Sequence, residues 1–326
     1  MAENKFLLPR VMLAPMAGYS DRAMRVVCHE WGAEYSVTEM ISAKAVVYGD
    51  KKTLSLASIR EDEGRVGLQI FGNDPAVMAS AAATLARGVE GDGLVPPVAI
   101  DINMGCPVNK IFSNGEGSAL MRSPELIEKI VASVKDAISI PVTVKLRIGI
   151  DAAHVNATEC ALAAEAGGAT MICMHGRTRV ELYSGTVHRD IIANVKKHLH
   201  IPLIANGDIL FGEDAISMLR DTGADGVAVG RGAVGNPFIF SEILTAMSGR
   251  EFIQPSLATR CEVALYQLRL SVEEKGERRA VNEARKQIAL YLRGFRGAAR
   301  LRGEINRAET YAEVERLILD VLAEGE

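Results

Sequence analysis

A cysteine lies where the chain leaves a run of apolar residues. Cys106 belongs to the segment Asn-Met-Gly-Cys-Pro at 103–107, and the Val-Ala-Ile-Asp-Ile segment before it is typical of a buried parallel strand. Gly105 lets the backbone turn sharply and Pro107 fixes φ, so a rigid loop presents the thiol. A free cysteine is more often a small buried hydrophobic residue, but such cysteines normally lie inside an element and not in a Gly-Cys-Pro turn. The pattern predicts a catalytic thiol at the rim of an active site.

Other residues capable of chemistry also stand at or near the ends of predicted strands. In chain order they are Ala14-Pro15-Met16-Ala17-Gly18, Gln69, Asn103, Lys145, Arg147, His175-Gly176-Arg177-Thr178-Arg179, Asn206-Gly207-Asp208 and Gly230-Arg231-Gly232. A single glycine turn would be ordinary, but the last two segments are neighbouring glycine turns of the kind that binds phosphate through backbone N–H groups. Arg231 can add a bidentate contact to the same phosphate. We therefore expect a phosphate-bearing ligand at these strand ends.

Lys145 is predicted to project into the mouth of the site, where an unpaired buried ammonium would be costly. An anionic partner is therefore expected, and the N1–C2=O edge of a reduced flavin is such a partner. Gln69 can hydrogen-bond the same pyrimidine edge. A salt bridge from Lys145 to Asp101 or Glu39 is the alternative. Together with the phosphate turns and the apolar first loop, the lysine suggests a flavin.

The elements that must position these residues alternate between short β-branched runs and amphipathic helical stretches. The predicted strands are Val11–Pro15, Tyr35–Thr38, Val66–Phe71, Val98–Asn103, Val142–Leu146, Met171–His175, Leu203–Ala205 and Gly226–Val229. Repeated βα units of this length favour an α/β fold, the (β/α)8 TIM barrel, whose active sites lie at the carboxyl ends of the strands. A doubly wound open sheet is the competing architecture, but no GxGxxG segment follows the first strand.

Composition limits the class of protein. A chain of 326 residues can form one large α/β domain and a smaller unit, and 48% hydrophobic with 24% charged residues is ordinary for a globular protein. The five cysteines are scattered without a CxxC pair, which argues against a disulfide scaffold and the common zinc spacings. Neither a signal segment nor a membrane-spanning apolar run is expected, so we predict a cytoplasmic protein. From the cysteine spacing we predict that it holds no metal. The net charge of −4 gives no global indication of a polyanionic partner.

The C-terminal part of the chain is locally basic. Between Arg278 and Arg307 the further basic residues, with Tyr291 and Phe295 interleaved, are Arg279, Arg285, Lys286, Arg293, Arg296, Arg300 and Arg302. Such a run is usually a solvated helix face, but its position after a barrel in an otherwise acidic chain favours contact with RNA phosphates. Gly and Pro interrupt the pattern at 248–255, so we predict a barrel domain over residues 1–250 and a small helical domain over 251–326.

Seven segments together resemble one known family. They are Ala14-Pro15-Met16-Ala17-Gly18, Glu39-Met40, Leu68-Gln69-Ile70-Phe71-Gly72, Asp101-Ile102-Asn103-Met104-Gly105-Cys106-Pro107, His175-Gly176-Arg177-Thr178-Arg179, Asn206-Gly207-Asp208-Ile209 and Gly230-Arg231-Gly232. The ordered set resembles the tRNA-dihydrouridine synthases, and among them the bacterial branch called DusB, from residue 6 to the C-terminus. Single motifs are shared with other flavin barrels, such as the dihydroorotate dehydrogenases, whereas the set with a cysteine in the fourth-strand loop is specific.

The resemblance implies an FMN-dependent TIM barrel, followed by a helical domain, that reduces the C5=C6 bond of particular tRNA uridines with NADPH or NADH as reductant. Carried over by position, the cofactor-binding residues are Ala14, Pro15, Met16, Gln69, Lys145, His175, Asn206, Gly207, Asp208, Gly230 and Arg231. Cys106 would be the acid that protonates C5 while flavin N5 delivers hydride to C6. The predicted substrate-binding residues are Asn103, Arg177, Arg285, Lys286, Arg296 and Arg300.

Two other functions remain open at this stage. A flavin reductase of free pyrimidines would use the same barrel without needing a basic C-terminal domain, and a non-catalytic RNA-binding protein could retain FMN structurally. The small residues of segment 110–118 suggest a mobile loop that could close over the site, with a plain surface loop as the alternative. The chain departs from the family at His188-Arg189, where an aromatic residue is common, and no role is assigned to either residue. Membrane association and a stable protein partner are not expected, and the sequence leaves the modified uridine open.

Overall fold

The computed structural model describes residues 6–294 and 298–324. Its strands are β1 Val11–Leu13, β2 Tyr35–Val37, β3 Ile41–Ser42, β4 Val66–Phe71, β5 Ala99–Met104, β6 Val142–Arg147, β7 Met171–His175, β8 Leu203–Asn206 and β9 Gly226–Val229. All pairings between these strands are parallel, β1 pairs with both β2 and β9, and β2 also pairs with β4, which closes the ring. The two-residue β3 pairs only with β4 and lies outside it. The predicted eight-stranded TIM barrel is confirmed.

Helices lie between the strands and continue after the last one. They are α1 Arg22–Glu30, α2 Ala43–Val47, α3 Lys51–Ser55, α4 Pro75–Leu85, α5 Asn109–Ser113, α6 Pro124–Ala137, α7 Ala157–Ala166, α8 Arg189–His198, α9 Gly212–Thr222, α10 Ile239–Met247, α11 Leu257–Lys275, α12 Glu277–Tyr291, α13 Ala298–Ile305 and α14 Tyr311–Glu324. The starts of α4 and α6 follow from sequence, because Asp74 and Ser123 accept bonds from first-turn N–H groups and proline follows each cap.

The barrel interior is filled at its lower end and polar at its upper end. Apolar side chains from several strands form the lower core; they include Met12, Ala14, Tyr35, Val37, Met171, Cys173, Ile204 and Ala228. Since side chains alternate along a strand, Asp101 and Asn103 of β5 face inward while their neighbours pack against the helices. The same alternation directs Thr143, Lys145 and Arg147 of β6 inward. The polar groups are therefore delivered to the open carboxyl end of the barrel.

The C-terminal helices α11–α14 form a second core beside the barrel. Its buried members include Cys261, Leu268, Ile288, Ile305 and Ile318, and Phe238 from the barrel joins them.

Aromatic packing joins this helical region to the barrel. The ring of Phe238 lies 4.5 Å from that of Trp31 and 6.3 Å from that of Tyr291. Lys275 at the end of α11 donates to Asp21, the N-cap of α1, and to Glu283 of α12. The helices are thus attached to the barrel through apolar and charged contacts. Within the described part of the chain, none of the helices is long and apolar enough to cross a membrane.

Candidate active site

A cavity of about 680 Å³ opens at the carboxyl ends of the strands, between the barrel and α12. It brings together all of the predicted cofactor-binding residues, and it adds Asn103 and Cys106. Its lining includes Ala14, Pro15, Met16, Gln69, Asn103, Cys106, Lys145, His175, Asn206, Gly207, Asp208, Gly230 and Arg231. Arg177 is not part of the lining.

Strand register explains why these side chains meet. Gln69 of β4 is level with Asp101 of β5, and Asn103 is level with Lys145 of β6. One step further round the barrel, His175 of β7 is level with Asn206 of β8. Because equivalent positions of adjacent parallel strands lie side by side, these three pairs form three successive polar levels toward the carboxyl end of the barrel. None of these levels requires a loop to place its side chains.

The Cys106 loop is held at three points. The side-chain oxygen of Asn103 accepts from the Cys106 N–H at 2.9 Å, and the Cys106 carbonyl accepts from the Ser118 hydroxyl at 2.8 Å. The Gly105 carbonyl accepts from Arg147 Nε at 2.9 Å. Arg147 also donates to the carbonyls of Thr178 and Leu182, at 2.8 and 3.0 Å, in the loop after β7. The thiol is therefore carried on a backbone whose position is fixed by its neighbours.

The segment after Cys106 contains two short helical turns. Residues 109–113 form α5 and Gly117–Arg122 form a 3-10 helix whose side chains are largely buried. Two guanidinium groups lie over the ring of Phe112, that of Arg122 at 4.4 Å and that of Arg179 at 3.7 Å from its centroid. These cation–π contacts hold Phe112 against its neighbours. The segment is therefore more regular than its composition indicated, and its mobility stays a prediction.

The cavity wall keeps the Cys106 thiol protonated. Burial raises the pKa of Cys106 above its ordinary value. Arg147 faces the thiol, and burial lowers the pKa of this arginine to about 10. At neutral pH Arg147 is therefore a cation and Cys106 a neutral thiol, which can donate a proton.

Lys145 has a polar neighbour but no charge partner among the described residues. Its ammonium donates to the side-chain oxygen of Asn206 at 3.1 Å. The alternative of a salt bridge to Asp101 or Glu39 is not realised, since Asp101 accepts from Gln69 and Thr143, and Glu39 accepts from the N–H of Gly18. Burial lowers the pKa of Lys145. The amine of Lys145 is therefore available to an anionic or strongly accepting ligand, whose binding would favour its charged form.

The predicted phosphate end is built from two turns in close contact. A Cβ added at Gly232 would lie 2.1 Å from the carbonyl oxygen of Ile209, so only glycine lets the turn after β9 approach the turn after β8. Arg231 borders the cavity and donates to Asp208 at 3.1 Å. The Arg177 guanidinium lowers the pKa of Asp208. The Asp208 carboxylate therefore orients Arg231, and the arginine is the group with the charge to bind a phosphate.

Arg177 occupies a position different from the one its motif suggested. It is 1% exposed and forms a two-point contact with Asp208, at 2.9 Å to Oδ1 and 2.5 Å to Oδ2. Its remaining donors bind the carbonyls of Ser184 and Gly185. With its donors used in this way, Arg177 links the loops after β7 and β8 and has no direct path to a substrate in this structure.

Tyr183 is a candidate site residue that the sequence analysis missed. It is 54% exposed at the cavity rim, and its ring lies 4.6 Å from the guanidinium of Arg231 and 5.9 Å from that of Arg147. Its ring centroid is 6.2 Å from that of His175, whose pKa is lowered by burial to about 2. A single aromatic residue in a loop without periodicity gives no sequence signal, and the arginines that flank it are distant in the chain.

The helical region reaches the cavity through α12. Leu290 and Arg293 belong to the cavity lining; Leu290 was not predicted, and Arg293 was named only as part of the basic run. Of the predicted RNA contacts, Lys286 is exposed on α12, and Arg300 is exposed on α13, 3.9 Å from Glu304.

Of the other two predicted RNA contacts, the structure describes Arg285. Arg285 is half-buried and donates to the Ala308 carbonyl at 2.5 Å. It therefore supports the helical core from within. Arg296 lies outside the described residues.

Comparison with known proteins finds similarity over nearly the whole chain. A model of the dihydrouridine synthase family matches residues 12–324. The tRNA-dihydrouridine synthases B of Xanthomonas axonopodis pv. citri and Xanthomonas campestris pv. campestris are each 37% identical over 306 residues, covering 93% of this chain and 90% of theirs. The probable tRNA-dihydrouridine synthase of Treponema pallidum is 35% identical over 319 residues, covering 95% of this chain and 92% of its own. The similarity therefore includes the barrel and the helical region.

Proposed function

The chain belongs to the dihydrouridine synthase family, and on that premise we propose that it reduces the C5=C6 bond of specific uridines in tRNA. The bound cofactor is FMN, the reductant is NADPH or NADH, and the cytoplasm is the site of action. The observation that carries the proposal is the Cys106 loop, held at three points on the rim of a cavity that also contains Lys145, which forms no salt bridge with any described residue.

The residues of the cavity fit FMN. Arg231 and the turn containing Gly207 would hold the phosphate, while Pro15 and Met16 offer an apolar surface for the ring system. Lys145, which lacks a carboxylate partner among the described residues, would face the electron-rich pyrimidine edge of that ring. When bound and reduced, FMN supplies the hydride for C6 of the uracil.

In the proposed reaction, residues of the protein deliver the proton. Uracil C5=C6 is electron-poor, so addition of hydride at C6 leaves negative charge shared between C5 and the C4 carbonyl. An acid must then reach C5, and the raised pKa of Cys106 keeps its proton in place until that charge develops. Asn103, beside Cys106 on the cavity floor, would donate to a uracil carbonyl. A stacked base cannot enter such a cavity, so the target uridine must be extruded from the RNA.

RNA binding is assigned to both parts of the molecule. Arg293 at the cavity mouth, together with the exposed Lys286 and Arg300, presents positive charge on the helical side. Tyr183 offers an exposed ring at the cavity rim, where a base could stack. Arg285 and Arg177 support the binding surface from within, since both are engaged with the protein's own carbonyl groups.

The test is to reduce the flavin-loaded protein anaerobically with NADPH and then follow reoxidation of the flavin band on adding unmodified tRNA. Rapid reoxidation by tRNA, and slow reoxidation by free uracil or orotate, is the expected result. Cys106→Ala should keep the NADPH half-reaction and lose the tRNA half-reaction by a factor on the order of 10²–10⁴, the usual range for a general acid. Reoxidation by the free base instead would assign the protein to pyrimidine metabolism, and flavin binding without either response would indicate a binding protein.

A further inference from the structure

A continuous chain of hydrogen bonds runs from the barrel interior to the Cys106 loop. Asp101 accepts from the Thr143 hydroxyl at 2.5 Å and from the amide nitrogen of Gln69 at 2.7 Å. The amide oxygen of Gln69 accepts from the amide nitrogen of Asn103 at 2.8 Å. The amide oxygen of Asn103 accepts from the Cys106 N–H at 2.9 Å, and from the preceding N–H at 3.2 Å. The side chains of Gln69 and Asn103 thus connect a buried carboxylate to the backbone of the proposed acid.

While Asp101 is ionised, this series of hydrogen bonds can run in one direction only; burial raises the pKa of that carboxyl, and the bonds from Gln69 and Thr143 oppose the rise. An amide side chain has a donating end and an accepting end, whereas an ionised carboxylate can only accept. With Asp101 as the acceptor, Gln69 must turn its nitrogen inward and its oxygen toward Asn103. Asn103 must then turn its nitrogen toward Gln69, which leaves its oxygen for the Cys106 N–H. Reversing either amide would place two donors, or two acceptors, against each other in a buried site, which is costly.

We propose that Asp101 is a positioning residue that acts on Cys106 through Gln69 and Asn103. Asp101 is 3% exposed and Gln69 is 1% exposed, so water does not compete for these bonds. The carboxylate fixes the orientation of both amides, and the second amide holds the loop that carries the thiol. This inference deepens the proposed function, because it concerns the same acid, but the hydrogen bonds themselves require neither RNA nor a reductant.

The orientation has a consequence for what the cavity can bind. Each amide uses one of its two N–H groups in this series, so one N–H of Gln69 and one of Asn103 remain for a ligand in the cavity that both residues line. Asn103 makes only a weak contact there, 3.6 Å to the sulfur of Met40. Together with the Lys145 ammonium, the floor of the cavity offers donors, and the groups it takes must be acceptors such as the carbonyl oxygens of a pyrimidine or of a flavin ring.

The test uses the reactivity of Cys106 toward iodoacetamide, which reports on the loop without tRNA. Cys106 is partly exposed, whereas Cys28, Cys160, Cys173 and Cys261 are buried, so labelling should be confined to one site. Asp101→Asn permits the reversed amide order and should release the loop, which would raise the labelling rate by about tenfold and move its pH midpoint downward as burial of the thiol is relieved. Arg147, the cation that faces the thiol, is unchanged in the variant.

Two further variants separate positioning from a general loss of structure. Thr143→Val keeps the bond between Asp101 and Gln69 and should change the labelling rate less than about twofold. Asn103→Ala removes the last hydrogen bond of the series, the one to the Cys106 N–H, so Cys106 of this variant should be labelled as fast as in Asp101→Asn. The double variant with Asp101→Asn should then show no further increase, because both changes act on the same bond.

The outcomes are distinct. An Asp101→Asn protein that labels like the wild type, or effects that add in the double variant, would overturn the proposal. Labelling of the four buried cysteines would show that the variant has not folded, and Gln69→Met, which interrupts the chain at its middle, then decides the question in the same assay. If the labelling pattern is as expected but tRNA does not reoxidise the flavin, the positioning role stands and the proposed function fails.

Discussion

Replacement of one glycine tests how closely the helical region must approach the barrel. Gly235 follows β9, has φ +65°, and supports α12: an added Cβ would lie 2.4 Å from the Cβ of Leu290 and 2.9 Å from the carbonyl oxygen of Gln287. Gly249 has nearly the same backbone conformation, φ +69°, with nothing within 4 Å of the added Cβ. The two alanine variants therefore share the backbone cost and differ in the collision with α12.

The magnitudes follow from these two contributions. Left-handed backbone costs a non-glycine residue about 1–2 kcal/mol, which both Gly249→Ala and Gly235→Ala should lose in free energy of unfolding. Overpacking against rigid backbone adds about 1–3 kcal/mol for Gly235→Ala alone. The expected difference between the variants is therefore about 1–3 kcal/mol, measured as the shift in urea unfolding followed by circular dichroism.

The same pair of variants has a functional readout. Leu290 and Arg293 of the cavity wall are displaced when α12 moves, so Gly235→Ala should raise the KM for tRNA in the flavin reoxidation assay. Gly249→Ala should leave that KM unchanged, because nothing near it belongs to the cavity. Equal stability losses and equal KM values for the two variants would refute the view that close docking of α12 is required.

Three further changes test charges described above. His175→Gln should make the free energy of unfolding less sensitive to acid. Burial lowers the pKa of His175 to about 2, so below pH ~6.5 only the unfolded chain takes up its proton. The wild type should therefore lose up to ~1.4 kcal/mol of unfolding free energy for each pH unit below that value, measured by urea unfolding. Lys275→Met leaves the carboxylates of Asp21 and Glu283 without their shared cation and should lower the free energy of unfolding by about 1–3 kcal/mol. Arg279→Met removes only an exposed ion pair with Glu283 and should lower it by about 0.5 kcal/mol or less. Equal losses for the two variants would contradict this reasoning. Arg177→Lys cannot form the two-point contact with its aspartate partner and should weaken FMN binding about tenfold in a fluorescence titration, and an unchanged affinity would show that the two loops are independent.

The barrel was predictable because parallel strands carry their own signal. Runs such as 66–71 and 171–175 are apolar and β-branched because both faces are buried, and the structure ends these strands at the predicted residues. Strand ends also located most of the cavity lining, since a barrel collects its loops on one side. The position of Cys106 followed from this rule and from the turn residues around it.

The sequence could not show which partners far away in the chain some predicted side chains have. Arg177 bonds to Asp208, 31 residues later, and Arg285 bonds to a carbonyl 23 residues later. Similarly, Phe112 packs against Arg179, which reaches it from the loop after β7. Local composition describes propensity, but the direction of a long polar side chain is set by contacts that only the folded chain provides.

The sharing of the cavity wall between barrel and helices limits how this architecture can be recombined. Helix α12 presents exposed charge on one side and contributes Leu290 to the cavity on another, and Arg293 joins the cavity lining just after the helix ends. Grafting the helical region of a relative onto this barrel would therefore alter the shape of the reaction chamber together with the outer surface. New target preferences in this scaffold are better sought by changing solvent-facing positions of α12 and α13 one at a time, with the docking residues left in place.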